Sequence, residues 1–333
     1  MEEDDQGATT AREVFAAYAI GGRLPARDLT QSLKAVGVLP SSDPRVASLR
    51  QWLKHHRGAG ASADLTAEQF EDATRGCLPL VRRALTRRLA VPDFDWFTSL
   101  VQRAFEETRA VRDGSVATYI PQLAGVDPEL FAVAVCTVDG QVFHAGDAHH
   151  RFCAQSCANP VTYMLAVQQR GLDAVHGVVG REPSGGAFNT LALKRVSREA
   201  VRRMGRDPDE GFVERIPHNP MMREHGSLPP ETNLDQTLEL YFQQCSIELD
   251  AVQMATAAAT LANGGANPFT GDRVLDPVTV RHGLSLMLSC GLYEYSGEWA
   301  FLCGLPAKSG VCGCVTVVVP GLMGISVFSP RLD

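Results

Sequence analysis

The spacing of apolar positions divides the chain into two stretches of different character. Over residues 12–109 the period is helical. Val14, Phe15, Tyr18 and Ala19 recur at the spacing of one helix face, as do Leu29, Leu33 and Val36. Breaks at Gly21-Gly22, at Pro40-Ser41-Ser42-Asp43-Pro44 and at Gly58-Ala59-Gly60 cut this stretch into short helices. Thr66, with Gln69 three residues on and Phe70 behind it, reads as a capped helix start, because each side chain can satisfy a backbone N–H of the first turn. Short helices in pairs predict an EF-hand-like packing. No loop carries acidic residues at alternate positions with a closing Glu, so calcium is not expected. Residues 1–10 are polar and small and are expected to form a disordered tail.

Beyond residue 112 the pattern changes to strands and longer helices. Phe131-Ala132-Val133-Ala134-Val135-Cys136-Thr137-Val138 reads as a buried strand, Asp139-Gly140 as a two-residue hairpin turn, and Gln141-Val142-Phe143-His144 as the return. A helix is predicted over 156–170, with Val161, Met164, Leu165 and Val167 on one face and Gly171 closing it. A longer one runs over 234–261, interrupted near Cys245 and ended by Gly264-Gly265. Residues 315–319 and 323–328 flank Pro320-Gly321 and form a second hairpin. Strands at both ends enclosing helices predict an α+β domain with an antiparallel sheet.

Composition narrows the class without deciding it. Of 333 residues, 45 % are hydrophobic and 21 % charged, ordinary for a globular chain long enough for about two domains. The net charge of −7 gives no basis for a nucleic-acid partner. No stretch is long and apolar enough for a membrane span. The acidic start, Met1-Glu2-Glu3-Asp4-Asp5, suits neither a secretory signal nor a transit peptide. With that start, nine cysteines read as reduced thiols in a cytoplasmic setting, or a mitochondrial one if the true N-terminus lies elsewhere.

Few residues are arranged for chemistry. Ser156 stands at a helix start, where it can cap, fill space, or act as a nucleophile whose oxyanion faces backbone N–H groups. In Ser-x-x-Lys enzymes the lysine one turn later takes the hydroxyl proton; here that position is Asn159, which cannot act as a base. Leu305-Pro306-Ala307-Lys308-Ser309-Gly310-Val311 either presents backbone N–H groups toward a nucleophile or is a plain turn with an exposed lysine. Tyr293 can relay protons or simply pack. His55-His56 and His149-His150 are adjacent pairs whose side chains point apart, and Cys312-Gly313-Cys314 has no second pair at zinc spacing, so no metal is expected. Gly177-Val178-Val179-Gly180 lacks the spacing and the Lys of a phosphate loop. The six arginines of residues 195–215 are largely offset by Asp207, Asp209, Glu210 and Glu214 and read as a solvated face or an insertion.

Several strings, in order, resemble animal glutaminases: Thr118-Tyr119-Ile120-Pro121-Gln122-Leu123-Ala124, Val135-Cys136-Thr137-Val138-Asp139-Gly140-Gln141, Phe152-Cys153-Ala154-Gln155-Ser156-Cys157, Glu182-Pro183-Ser184-Gly185 with Phe188-Asn189, Pro217-His218-Asn219-Pro220-Met221, Ala259-Thr260-Leu261-Ala262-Asn263-Gly264-Gly265 and Leu305-Pro306-Ala307-Lys308-Ser309-Gly310-Val311. The resemblance covers about residues 14–333. It implies a serine β-lactamase-like catalytic domain over 113–333 preceded by an EF-hand-like helical domain over 11–112. It implies hydrolysis of L-glutamine to L-glutamate and ammonia, without cofactor, in a homo-oligomer (dimer or tetramer). Ser156 would be the acyl-forming nucleophile, and the N–H groups of Ser156 and Val311 the oxyanion hole. Tyr293 would be the relaying phenol, and Tyr119 and Gln155 would line the pocket.

The chain departs from that family at three places. Asn159 stands where the family has its base lysine, and Arg223 where it has an Asn that holds substrate. After residue 222 a segment is missing that normally carries a Glu, an Asn and a Tyr of the substrate clamp, while 195–216 is an atypical insertion. Losing one member of a nucleophile–base pair can cost as much as losing both. Severely impaired turnover is therefore expected. The alternatives are a pseudoenzyme that co-assembles with or regulates active subunits, or a faulty gene model around codons 190–235.

Overall fold

The structure, a computed structural model, describes residues 10–56, 64–177, 179–181 and 233–332. It opens with α1 (Ala11–Tyr18), β1 (Leu24–Pro25), α2 (Ala26–Ala35), α3 (Ala47–His56), β2 (Asp64–Leu65), α4 (Ala67–Ala73), α5 (Leu78–Leu85) and α6 (Phe94–Arg109). Sequence dictates where these helices start. Thr10 with Glu13 and Thr66 with Gln69 close reciprocal capping boxes on α1 and α4, and Asp93 caps α6. β1 pairs antiparallel with β2, with Leu24 opposite Leu65, so two helix–loop–helix pairs are joined by a short ribbon. Leu29, Leu33, Val46, Leu49, Phe70 and Val81 form their common core. Phe15 packs on Phe70 with ring centroids 5.8 Å apart.

The rest of the chain runs α7 (Pro121–Ala124), β3 (Ala132–Thr137), β4 (Val142–Gly146), β5 (Phe152–Cys153), a 3₁₀ turn (Gln155–Ala158), α8 (Asn159–Arg170), α9 (Leu172–His176), α10 (Leu234–Cys245), β6 (Glu248–Leu249), α11 (Ala251–Ala262), α12 (Pro277–Cys290), a second 3₁₀ turn (Tyr293–Tyr295), α13 (Ser296–Leu302), β7 (Ala307–Ser309), β8 (Cys314–Val319) and β9 (Met323–Phe328). Five strands form one antiparallel sheet in the order β4-β3-β9-β8-β7. This is the mixed architecture with an antiparallel sheet that the sequence predicts. The break expected near Cys245 is real, because β6 leaves the helical path to pair with β5. The turn at Asp139-Gly140 is a correction: Cys136 faces Val142 and the Thr137 N–H donates to the Gln141 carbonyl, so the loop has three residues rather than two.

Both sheet faces are covered. On one lies α11, whose Ala255, Ala258, Ala259 and Met254 are buried. The helix sits so close that a Cβ on Gly324 of β9 would fall 2.2 Å from the Ala259 nitrogen. Small side chains on the helix and none on the strand permit backbone-to-backbone approach. On the opposite face Phe105 of α6 packs with Val133, Ala145, Ile325 and Val327. The helix α6 therefore continues the helical stretch in sequence but packs on the sheet.

The β3–β4 hairpin tip joins the helices to the sheet. Gln141 is fully buried, and its Nε2 donates to the carbonyls of Val36 and Val91 while its Oε1 accepts from Val91 N–H at 2.8 Å. Asp139 accepts from Ala90 N–H and from the Arg83 guanidinium at 2.8 Å. Arg45, paired with buried Asp43 at 2.6 Å, donates to the carbonyls of Asp139, Gly140 and Pro268. Gln141→Leu leaves two acceptors and one donor unmet, so it is expected to destabilise the chain by about 2–4 kcal/mol. Urea denaturation checks this; a loss within 0.5 kcal/mol of zero, roughly the scatter of surface substitutions, contradicts the joint's importance.

Candidate active site

Ser156 lies in the 3₁₀ turn between β5 and α8, and three neighbouring elements hold that turn. The Ala154 N–H donates to the Ile247 carbonyl at 2.7 Å, tying it to the α10–β6 connection. Cys157, buried, contacts the carbonyls of Cys314 (3.4 Å) and Lys308 (3.7 Å), tying it to β7 and β8. Its neighbours Cys312 and Cys314, and then burial, push its thiol well up, so Cys157 is a structural thiol. Gly310 completes the seam, since a Cβ there would lie 3.0 Å from the Cys157 sulfur. The turn that follows Gly310 and carries Val311 is thus packed beside the turn that carries Ser156.

Three non-glycine residues among those described have positive φ, and two belong to this site: Gln155 at +47° and Tyr293 at +55°. Such backbone is costly and persists only where surrounding structure enforces it. At Tyr293 burial is the dominant influence on the phenol and raises its pKa, while the nearby Ser156 side chain lowers it. Tyr119 interacts electrostatically with Tyr293, and burial raises its phenol too. Gln155 thus adjoins Ser156 in the turn, and Tyr293 and Tyr119 lie near enough to influence one another electrostatically.

Asn159 is also adjacent, at the first position of α8, but it faces outward: its Oδ1 accepts from Gln244 Nε2 at 2.7 Å. Arg223, residues 182–189, the string 217–221, the stretch 195–216 and the gap after 222 lie outside the described residues.

Sequence reasoning missed two residues. Tyr241 of α10 interacts electrostatically with both Tyr293 and Tyr119, and burial, with Cys245 close by, pushes its phenol to about 12. The sequence reading counts the clamp tyrosine as lost; α10 nonetheless supplies a tyrosine. The signal was Tyr241 itself, one turn before the Cys245 break. The second is Lys308. The plain-turn reading with an exposed lysine is overturned: Lys308 is in strand β7 and only 7 % exposed. Its Nζ donates to the Gly291 carbonyl (3.1 Å) and the Ser309 carbonyl (2.6 Å), and lies 4.4 Å from the Tyr293 ring centroid.

Gly291 explains how β7 reaches this place. It caps α12, and a Cβ there would fall 1.7 Å from the Ala307 carbonyl oxygen, so only glycine lets the helix end lie against the strand. The Gly291 carbonyl accepts from both Ser309 N–H and Lys308. The ammonium thus occupies the negative end of α12.

Among the described residues no group of three His, Cys, Asp or Glu side chains could hold a metal. The adjacent histidines diverge as expected: His149 meets Asp250 at 3.3 Å, while His150 stacks on Phe328. All nine cysteines are free. No described helix is long and apolar enough to cross a membrane.

The comparisons with known proteins decide the family. The Glutaminase family model matches residues 114–204 and 217–333. The chain belongs to the glutaminase family. The rat liver-isoform mitochondrial glutaminase is 36 % identical over 93 % of this chain and 59 % of that protein. A Nostoc glutaminase is 37 % identical over 68 % of this chain and 79 % of its own length. Among solved structures, "Probable glutaminase ybaS" superposes with a TM-score of 0.59 at 33 % identity, covering 71 % of this chain and 89 % of that one. Mglu in its glutamate form gives 0.58 at 34 % identity, covering 72 % and 64 %. This chain spans less than two thirds of the length of the rat relative.

Burial lowers the Lys308 pKa from its usual value. Between the lowered folded value and the unfolded value near 10.5 the unfolded chain binds the extra proton, so stability rises with pH across that window. Below the window the folded state carries the cost of the buried charge. Lys308→Met is thus expected to be at least as stable as the parent at neutral pH, to within about 1 kcal/mol, and the parent to gain on it as pH rises. Urea denaturation at neutral and alkaline pH checks the sign; a parent that loses ground to the variant on alkalinisation refutes it.

Proposed function

We propose that this chain hydrolyses L-glutamine to L-glutamate and ammonia through an acyl-Ser156, at a rate well below that of a glutaminase with a complete nucleophile–base pair. The observation that supports this reading is the packing of the turn carrying Ser156 against the turn carrying Val311, with Cys157 on the Lys308 and Cys314 carbonyls and no room for a side chain at Gly310, beside an Asn159 whose amide is engaged by Gln244. Ser156 is the nucleophile and Tyr293 the relay. The N–H groups of Ser156 and Val311 form the oxyanion hole. Tyr119, Gln155 and Tyr241 line the substrate pocket. A positioned base contributes about 10²–10⁴-fold, and an oxyanion hole with binding alone sustains about 10³–10⁴ over water.

The same reading assigns residues 113–333 to a β-lactamase-like catalytic domain and 11–112 to an EF-hand-like domain. The paired helices and the Leu24–Leu65 ribbon support the latter, although α6 packs on the sheet. Asn159 favours a second role as a defective subunit in mixed oligomers with active glutaminases. Co-expression followed by native mass measurement reads that role directly, and an absence of mixed species removes it.

Purified full chain, assayed for ammonia release from glutamine, is expected to turn over slowly, and Ser156→Ala to abolish what remains. Asn159→Lys is expected to raise kcat about 10²-fold or more. A parent within tenfold of an ordinary glutaminase defeats the impairment, and activity surviving in Ser156→Ala defeats the acyl-serine.

A further inference from the structure

Ser156 lies on a turn whose two ends are tied to one neighbouring segment. Upstream, β5 pairs with β6, with Phe152 opposite Leu249 and Cys153 opposite Glu248. The Ala154 N–H carries this ladder one step further, to the Ile247 carbonyl at 2.7 Å. Downstream, Asn159 Oδ1 accepts from Gln244 Nε2 at 2.7 Å. We infer that Gln244 is a positioning residue: its bond to Asn159 closes the downstream end of the turn and holds the Ser156 hydroxyl in place for attack. This rests on the reading of Ser156 as nucleophile and gives residue 159 a use other than the base it cannot be.

The turn needs a tie at that end. It is a 3₁₀ turn, whose hydrogen-bond geometry is poorer than that of an α-helix, and it opens on Gln155 with φ at +47°. No side chain caps α8, and Pro160, its second residue, has no N–H to offer. Cys157, which is buried, anchors the middle of the turn to β7 and β8. The Gln244 bond acts where the turn passes into α8 and the chain becomes exposed at Asn159.

Helix α10 places Gln244 for this purpose. The helix packs against the Ser156 turn, and its last residue, Cys245, is buried. Gln243 bonds within the helix, its Nε2 donating to Glu239 at 3.3 Å. Gln244, half-buried, instead reaches across 85 positions of sequence to Asn159. Both ties therefore lie on the short stretch from Gln244 to Ile247. With the two bonds made, the turn moves relative to the end of α10 only as a unit.

An amide–amide bond that water can reach contributes modestly, and its loss corresponds to about 3–10-fold in an equilibrium or a rate. The bond bears on Ser156 from the side of α8, whereas the upstream ladder next to Gln155 stays intact without it. Its loss is therefore expected to fall on kcat, through a hydroxyl less often aligned for attack, and to leave KM nearly unchanged.

Two measurements on the full chain test this: ammonia release from glutamine, and amide hydrogen exchange over residues 154–159 followed by mass spectrometry. Gln244→Met keeps the length of the side chain and removes its amide. It should lower kcat about 3–10-fold with KM within about twofold, and speed exchange over 154–159 by a similar factor. Asn159→Ala should do the same, and adding Gln244→Met to it should change neither quantity further. The exchanged pair, Asn159→Gln with Gln244→Asn, re-forms an amide bond and should recover most of both. Parent-like kcat and exchange in Gln244→Met overturn the inference, as does independent addition of the two losses in the double variant. A Gln244→Met variant that loses kcat while exchange over 154–159 stays parental also overturns it, because the turn is then held without the bond. A parent that releases no ammonia overturns the acyl-serine reading and the catalytic part of this inference with it, and exchange over 154–159 then decides whether the bond holds the turn.

Discussion

An ammonium brought into a protein interior costs several kcal/mol unless its protons are met and its field is answered. Lys308 meets both conditions at a helix C-terminus, where the Gly291 carbonyl is one of the last in α12 and carries part of its negative end. That arrangement fixes much else. It requires glycine at 291, it sets the height of β7 against α12, and it leaves the face of Tyr293 as the remaining side of the cation. Tyr293, whose backbone is left-handed, lays its ring over that ammonium. The local strain is sustained by packing: Ser296 accepts from Leu292 N–H and donates to the Tyr293 carbonyl, locking the 3₁₀ turn.

A site of this kind needs a rigid floor, and the chain makes one without large side chains. The helix α11 uses alanines where most helices use leucines, trading area per residue for closeness to β9 and β3. The sheet below carries the 310–313 turn, and Cys157 stitches the turn carrying Ser156 to it. On the far side the hairpin tip is locked into the helices by Gln141, Asp139 and Arg45. Backbone atoms dominate these bonds, so they fix register without demanding a particular partner side chain. The helical unit therefore reaches the site through the strand that starts at Ala132, and a change at its joint would be transmitted as a shift of the β3–β9 pair.

Much of this was legible in the sequence because it rests on local chemistry. The capping box at Thr66, the Val-rich run of β8, the glycines after α11 and the interruption at Cys245 each follow from rules that span a few residues. The turn after Val138 was misjudged by one residue because Asp-Gly suits both a two-residue turn and the end of a three-residue one, and only cross-strand register separates them. Lys308 was ambiguous for a different reason. A lysine before Ser-Gly reads equally as an exposed turn or a buried strand, and what decides is Gly291, seventeen positions away. Tyr241 was overlooked because its partners, Tyr119 and Tyr293, come from distant segments that only the tertiary fold assembles.

Asparagine at position 159 is structurally inexpensive, and that shapes how the site can be understood. Asn159 is exposed, it begins α8, and its amide finds Gln244 across to α10. Nothing in the core depends on it. Ser156, by contrast, is enclosed by elements that also carry structural duties: Cys157 in the seam, Gly291 at the helix end, Ser296 in the turn lock. On the proposed reading of residue 159 as the place of a lost base, the change leaves Ser156, Tyr293 and the buried Lys308 in place, because folding holds them there. Asn159 bears on the site without bearing on the frame, whereas Gly291 bears on both, because its missing side chain is what lets α12 meet β7.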